Sequence, residues 1–256
     1  MYPERVLYPG QFEFQVAYIV GNSRKSEITI SNFREYTALA LSNIMSSILD
    51  VQQRDSQACL LSLDFFKAYD RVLLDFLAKV MKKMNFGDLF TSWILMLHEG
   101  SRTRLILSGL TRAIEVLFSI RQGDPLAMLL YIIYIEPLLM ALQRNMTGLK
   151  VASIEQKLDA YCDDINLTTD QLEDFKIISE VVKKFENVSG AILSRDKKCK
   201  VIGFGNWTGK EDWPIAWLKP VKSLKIFGIF ISNSFQEMLK VNWDYRFKKF
   251  SDAIFS

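Results

Sequence analysis

The stretch "LDAYCDDIN" at 158–166 restricts the possible folds more than any other part of the chain. Leu158 to Cys162 alternate apolar and polar side chains, the period of a half-buried strand. Asp163 and Asp164 then stand side by side, and polar residues return after Ile165. The segment therefore reads as strand, turn, strand with two adjacent carboxylates at its tip. Each carboxylate raises the cost of ionising the other, and a divalent metal would offset that repulsion. An acidic turn without a ligand is the plainer alternative, and this stretch alone leaves both open.

The chain around it is long enough to bury a core: 256 residues, 49% apolar, forming one large domain or two tightly joined ones. A net charge of +3 does not by itself point to nucleic acid. Cys59, Cys162 and Cys199 are scattered and odd in number, so they form neither a disulfide framework nor a zinc site; a reducing, intracellular compartment fits them. One histidine, His98, excludes a histidine-based metal centre or triad and is expected at a helix end or on the surface. The N-terminus "MYPERVLYPG" lacks the apolar core of a signal peptide. The longest apolar run, "PLAMLLYIIYIEPLLMAL" at 125–142, is broken by Glu136 and Pro137 before reaching the roughly 20 clean residues of a spanning helix. It reads as a buried core helix.

Local patterns give an alternation of helices and strands. "SEITI" is strand-compatible, and "REYTALALSNIMSSIL" (34–49) has helical spacing. "ACLLSLDF" (58–65) is a short apolar strand ending in an acid. "RVLLDFLAKVMKKM" (71–84) is an amphipathic helix, with Asp70 placed as its N-cap. A further helix is expected near 89–97, then a hairpin over 104–116 turning at Ser108–Gly109. Pro125 opens the long apolar helix, and 172–190 forms an amphipathic helix closed by Gly190. "KVIGFG" (200–205) and "SLKIFGIFI" (223–231) read as strands, followed by a basic amphipathic helix at "WDYRFKKFSDAIF". The fold class is α/β (α+β), with a mostly antiparallel sheet packed on helices. No glycine-rich phosphate loop follows the first strand, which argues against a dinucleotide or P-loop fold.

Asp64 closes one strand, while Asp163 and Asp164 tip a hairpin. If those strands are neighbours, the three acids converge at one end of a sheet. An all-oxygen set of that kind suits two Mg²⁺ or Mn²⁺ ions bridging a reacting phosphate.

Around these acids, "SLDFFKAYDRV" (62–72), "SIRQGDPLAMLLYIIYIEPLL" (119–139), "AYCDD" (160–164), "VSGAILSRDKK" (188–198) and "LKIFGI" (224–229) follow one another in order. In that order and spacing they resemble the motifs of reverse transcriptases, above all those of non-LTR (LINE-type) retrotransposons, over roughly residues 57–235. The resemblance implies a right-hand polymerase palm in which Asp64, Asp163 and Asp164 are catalytic and hold the metals, with Asp164 the weaker participant. It implies that the Phe65 carbonyl is an extra ligand and that Tyr69 is the aromatic gate excluding a ribose 2′-hydroxyl. Gln122 and Gly123 would contact nucleotide and template, Arg121 a nucleic-acid backbone, and Tyr161 and Cys162 would flank the acids. Lys197, or its neighbour Lys198, would stand near the pyrophosphate as general acid, and Phe227–Gly228 would belong to the primer grip. Asp70 is read as a helix cap rather than a ribose reader, which favours a DNA product.

The same resemblance divides the chain into a partial fingers region (1–56), a palm (57–204) and a primer grip with the start of a thumb (205–256). It implies an RNA template, a DNA primer and dNTPs as partners, two Mg²⁺ or Mn²⁺ ions as cofactors, no membrane, and a nuclear or cytoplasmic location. An "RPI"-like fingers stretch is missing, and beyond "PGQFEF" the first forty residues do not align. The expected endonuclease and Cys/His modules are also missing. Two alternatives therefore stand beside an RNA-directed DNA polymerase: a retrotransposon-derived remnant binding nucleic acid weakly, and an RNA-directed RNA polymerase.

Overall fold

The computed structural model describes residues 30–255 except 101, 104–111, 113, 116–118, 122–123, 152–153 and 197. Helix α1 (Ile30–Gln53) leads into β1 (Gln57–Leu63), a 3-10 turn (Tyr69–Arg71), α2 (Leu74–Lys83) and α3 (Asp88–His98). Two short strands, β2 (Arg102–Thr103) and β3 (Ile114–Glu115), pair antiparallel before α4 (Ala127–Asn145). Then come β4 (Leu149–Val151), β5 (Ile154–Gln156), β6 (Leu158–Tyr161), β7 (Asp164–Thr169) and α5 (Glu173–Ser189). β8 (Lys200–Gly205), β9 (Lys219–Pro220), β10 (Ser223–Ile226), β11 (Ile229–Ser232) and α6 (Phe235–Phe255) complete the order.

The main sheet has the order β6-β7-β1-β8-β9. Every pairing in it is antiparallel except β8 with β9. β1 is central and buried on both faces, which is why its sequence is an unbroken apolar run rather than an alternating one. Cys59, Leu61 and Leu63 share one cluster with α2, α4 and α5. Ala58 and Leu60 share another with α1 and the β10–β11 hairpin. The sheet is thus sandwiched between a helical layer and a layer made of α1 and that hairpin.

Several local expectations change. Asp70 lies in the 3-10 turn, and the N-cap of α2 is Leu73, without a side-chain cap; the chain makes an extra turn between the strand and the helix. α4 starts at Ala127, two residues after Pro125, and is otherwise the single buried helix that the apolar run implies, continuous through Glu136 and Pro137. Among the described residues it is the one helix long and apolar enough to cross a membrane, and its flanks pack on α2, α5 and β6. Of "SEITI", only Ile30 is described, as the first residue of α1. The Ser108–Gly109 turn and "PGQFEF" lie outside the described residues. His98 does end a helix, but it is buried, and burial lowers its pKa. All three cysteines are free and buried.

Gly190 closes α5 in the left-handed region at φ 83°. A Cβ there would lie 2.7 Å from Leu73 Cγ and 3.0 Å from the Arg71 carbonyl oxygen, and Arg71 Nε donates to the Gly190 carbonyl at 3.0 Å. The glycine therefore lets the end of α5 sit directly on the segment leading into α2.

Glu136 is buried within α4, and burial pushes its carboxyl up to about 7. A carboxyl raised in the folded state binds its proton more tightly there than in the unfolded chain. Its stabilising contribution is full below the ordinary glutamate range and is lost as pH rises through about 7. Asp159, raised to about 6 by burial, adds a second loss in the same direction. Glu136→Gln is expected to raise stability at pH 8 by about 1–3 kcal/mol, after allowing for partial solvent access, and to change little at pH 4. Urea unfolding at the two pH values measures the difference.

Candidate active site

The register of the sheet brings the three acids together. Leu63 of β1 is paired with Ile165 of β7, and Tyr161 of β6 with Asp164. Asp64, one residue beyond β1, therefore falls beside the β6–β7 turn that carries Asp163. Strand alternation sets the direction of the side chains. Leu63, Phe65, Ile165 and Leu167 pack in the helical layer, so Asp64 and Asp164 project from the opposite face. That face also carries the β10–β11 hairpin. The turn is tight, with Cys162 at φ 52°, a conformation that only a well-packed site holds in a non-glycine residue.

Like charges crowd at this end of the sheet. Burial raises the pKa of Asp164, and Asp163 and then Asp64 raise it further. Asp64 Oδ2 is shielded from solvent without a hydrogen-bond partner. Lys198 Nζ faces it at 3.3 Å, an ion pair outside hydrogen-bond geometry. The loop from Gly190 to Arg195 runs alongside Asp64 and fixes this arrangement. Phe65 bridges Leu193, the Phe66 amide donates to the Ile192 carbonyl at 2.8 Å, and the Ser194 amide donates to the Asp64 carbonyl at 2.8 Å. Glu186 anchors the same loop from α5. It accepts from the Leu193 amide at 2.7 Å and from Arg195 Nη1 at 2.9 Å, and Arg195 Nη2 donates to its second oxygen.

Among the described residues, no three His, Cys, Asp or Glu side chains are already gathered tightly enough to hold a metal ion. The donor chemistry nonetheless suits a hard divalent cation: carboxylates of like charge, one oxygen shielded and unbonded, and a lysine supplying the positive charge. Asp64, Asp163 and Asp164 are the residues that would hold it, once Lys198 moves off Asp64.

Tyr69 lies beside this cluster. Its ring stacks on Tyr131 of α4, with centroids 4.7 Å apart, and burial, then the neighbouring Cys162 thiol, pushes its pKa up. Burial also raises Cys162, which keeps the thiol protonated. Tyr131 itself is fully buried, and its hydroxyl has no partner.

The remaining candidates are distributed less closely. The Ile120 amide donates to the Tyr69 carbonyl at 3.0 Å, so the segment entering α4 passes Tyr69. The adjacent Arg121 donates from Nη2 to the Leu97 carbonyl at 3.1 Å. Gln122, Gly123 and Lys197 lie outside the described residues. Asp124 accepts from the Leu126 amide at 2.8 Å just before α4 begins. Phe227 and Gly228, at φ 48° and 85°, form the two-residue turn of the β10–β11 hairpin, a mirror-image turn suited to tightly paired strands. Their hairpin is separate from the main sheet.

The supporting residues Tyr131, Glu186 and Arg195 are not apparent from local pattern. Tyr131 lies in an apolar helix that reads as plain core, and the Glu186–Arg195 pair joins a helix to a loop nine residues on.

The family described as Reverse transcriptase (RNA-dependent DNA polymerase) matches residues 24–231. An uncharacterized 149 kDa protein of transposon TX1 from Xenopus laevis is 28% identical over 181 residues, 67% of this chain and 14% of that protein. The chain thus spans a small part of the curated relative it matches. Among solved structures, apo telomerase from Candida tropicalis, truncated from its C-terminal domain, superposes with a TM-score of 0.54 at 13% identity. That match covers 77% of this chain and 38% of the telomerase. Candida tropicalis telomerase in complex with a TWJ fragment of telomeric RNA gives 0.56 at 12% identity, covering 77% and 32%. At such identities the likeness is one of fold: that of right-hand polymerases.

Proposed function

Because this chain belongs to the reverse transcriptase (RNA-dependent DNA polymerase) family, of the kind found in LINE-type retrotransposons, we propose that it is the palm-centred part of an RNA-directed DNA polymerase. The observation that carries this reading is the placement of Asp64 and Asp164 on one face beside Asp163, with their charges coupled. When bound, two divalent cations supply Lewis-acid activation of the primer 3′-hydroxyl and charge neutralisation at the leaving pyrophosphate.

The chain's own residues do the rest. Asp64, Asp163 and Asp164 would hold the cations at the sheet end, with the Phe65 carbonyl as an extra ligand. Lys197 or its neighbour Lys198 would neutralise and protonate the departing pyrophosphate; the ion pair of Lys198 with Asp64 supports a lysine ammonium at this end of the sheet. Tyr69, clamped between Tyr131 and Cys162, presents a rigid ring edge to the sugar. By the family's motif order Arg121 would contact the nucleic-acid backbone, Gln122 and Gly123 the nucleotide and template, and the Phe227–Gly228 turn the primer. The RNA template, DNA primer and dNTPs are the corresponding partners. Residues 1–56 then belong to the fingers, 57–204 to the palm and 205–256 to the primer grip and thumb, in a protein working in nucleus or cytoplasm.

Sugar selectivity tests this reading. On an RNA template with Mg²⁺, the chain is expected to incorporate dNTPs in strong preference to rNTPs. Tyr69→Ala should relax that preference roughly tenfold or more, since one lost steric contact is worth about 1–3 kcal/mol of discrimination. Equal use of both sugars by the unaltered chain would show instead an RNA polymerase. Unchanged selectivity in Tyr69→Ala would remove the gate from the mechanism.

A further inference from the structure

On the outer side of the helical layer, α2 and α4 do not close on each other. Between them runs a groove of about 390 Å³, floored by Phe76, Val80, Met84, Met140 and Ala141. Across Pro137 it continues into a second hollow of about 330 Å³ toward α5, where Val181 and Val188 line it. Both are open to solvent rather than enclosed. Pro137 borders the two.

The rim is basic. Lys79, Lys83 and Arg144 border the first hollow and Lys184 the second, and no acid lines either. None of these four cations has an ion-pair partner among the described residues. From Phe76 to Met84 the floor follows α2 for about 12 Å, two helical turns.

We propose that this groove docks an amphipathic helix of a partner protein, one whose apolar face is bordered by Asp and Glu. Each feature selects that occupant. A helix in a groove buries anchors spaced i, i+3, i+4 and i+7 over two turns, which the floor accommodates. Nucleic acid would engage the cations and leave the apolar floor exposed. An acyl chain needs an enclosing cavity, and this one lies open. A second copy of the same surface would bring the basic rims against each other. The groove is on the opposite face of the sheet from the carboxylates, so a partner can sit there without covering them.

The test is fluorescence anisotropy with a labelled synthetic helix of about 16 residues, carrying Leu and Phe at i, i+3, i+4 and i+7 and Glu at the flanking positions. Saturable binding to the chain is expected, weakened at least tenfold by the exposed double change Lys79→Glu with Lys83→Glu. A Lys-flanked version of the peptide should bind that variant better than the unaltered chain. Ala141→Glu, which places an acid in the floor, should weaken both peptides. Failure to saturate, equal affinity for the charge-reversed variant, or equal binding of the Lys-flanked peptide to the unaltered chain would overturn the proposal.

Discussion

Asp174→Ala is expected to cost about 3–5 kcal/mol of folding free energy, a large share of what holds a domain of this kind together. Asp174 is fully buried in the first turn of α5. It accepts from the Thr147 amide at 2.8 Å, the Gly148 amide at 2.9 Å and the Thr169 hydroxyl at 2.6 Å. These contacts tie the end of α4 and the end of β7 to α5. Truncation strips the Thr147 and Gly148 amides of their acceptor and leaves the Thr169 hydroxyl only its long contact with the Gln171 carbonyl at 3.4 Å, each loss costing about 1–3 kcal/mol in the worst case. Asp174→Asn keeps one accepting oxygen and should lose about half as much. Urea denaturation followed by tryptophan fluorescence measures both. A loss below about 1 kcal/mol for the alanine variant would mean that water replaces the carboxylate without penalty.

The larger functional effect is expected from the acids themselves. Asp163→Asn should lower the rate of dNTP incorporation by on the order of 10³-fold, while leaving the fold intact, because Asp163 sits in a turn and is only part-buried. Asparagine keeps the shape and removes the charge that a divalent cation requires. Asp64→Asn should behave alike and should also release Lys198, whose partner it removes. Single-nucleotide incorporation kinetics, with circular dichroism to confirm folding, gives the comparison. A residual rate within about tenfold of the unaltered chain would place the chemistry elsewhere.

The parts of this fold that are legible in the sequence are those set by local pattern. "ACLLSLDF" and "KVIGFG" are continuous apolar runs because β1 and β8 are covered on both faces, and Gly190 marks the end of α5 because the position needs a left-handed backbone. The positions of the acids at a strand end and a hairpin tip are equally local, whereas their meeting depends on the pairing of β1 with β7. What depends on contacts across the chain is not. Alternation places Asp159 toward water, yet it is buried: Gln156 donates to it at 3.0 Å, and Gln156 accepts in turn from Ser47 of α1 at 2.7 Å. Asp70 has the right residue type for a cap, but the 3-10 turn shifts the start of α2 past it. By contrast, the long apolar run reads as one buried helix despite Glu136 and Pro137, and α4 is continuous through both.

Primer extension on an RNA template decides between a polymerase and a remnant that has kept its motifs. The purified chain is given a DNA primer, dNTPs and Mg²⁺. Extension is expected to the end of the template, with a product complementary to it and dependent on the divalent cation. A folded chain that adds no nucleotide, with Mg²⁺ or with Mn²⁺, would contradict a working active site at Asp64, Asp163 and Asp164.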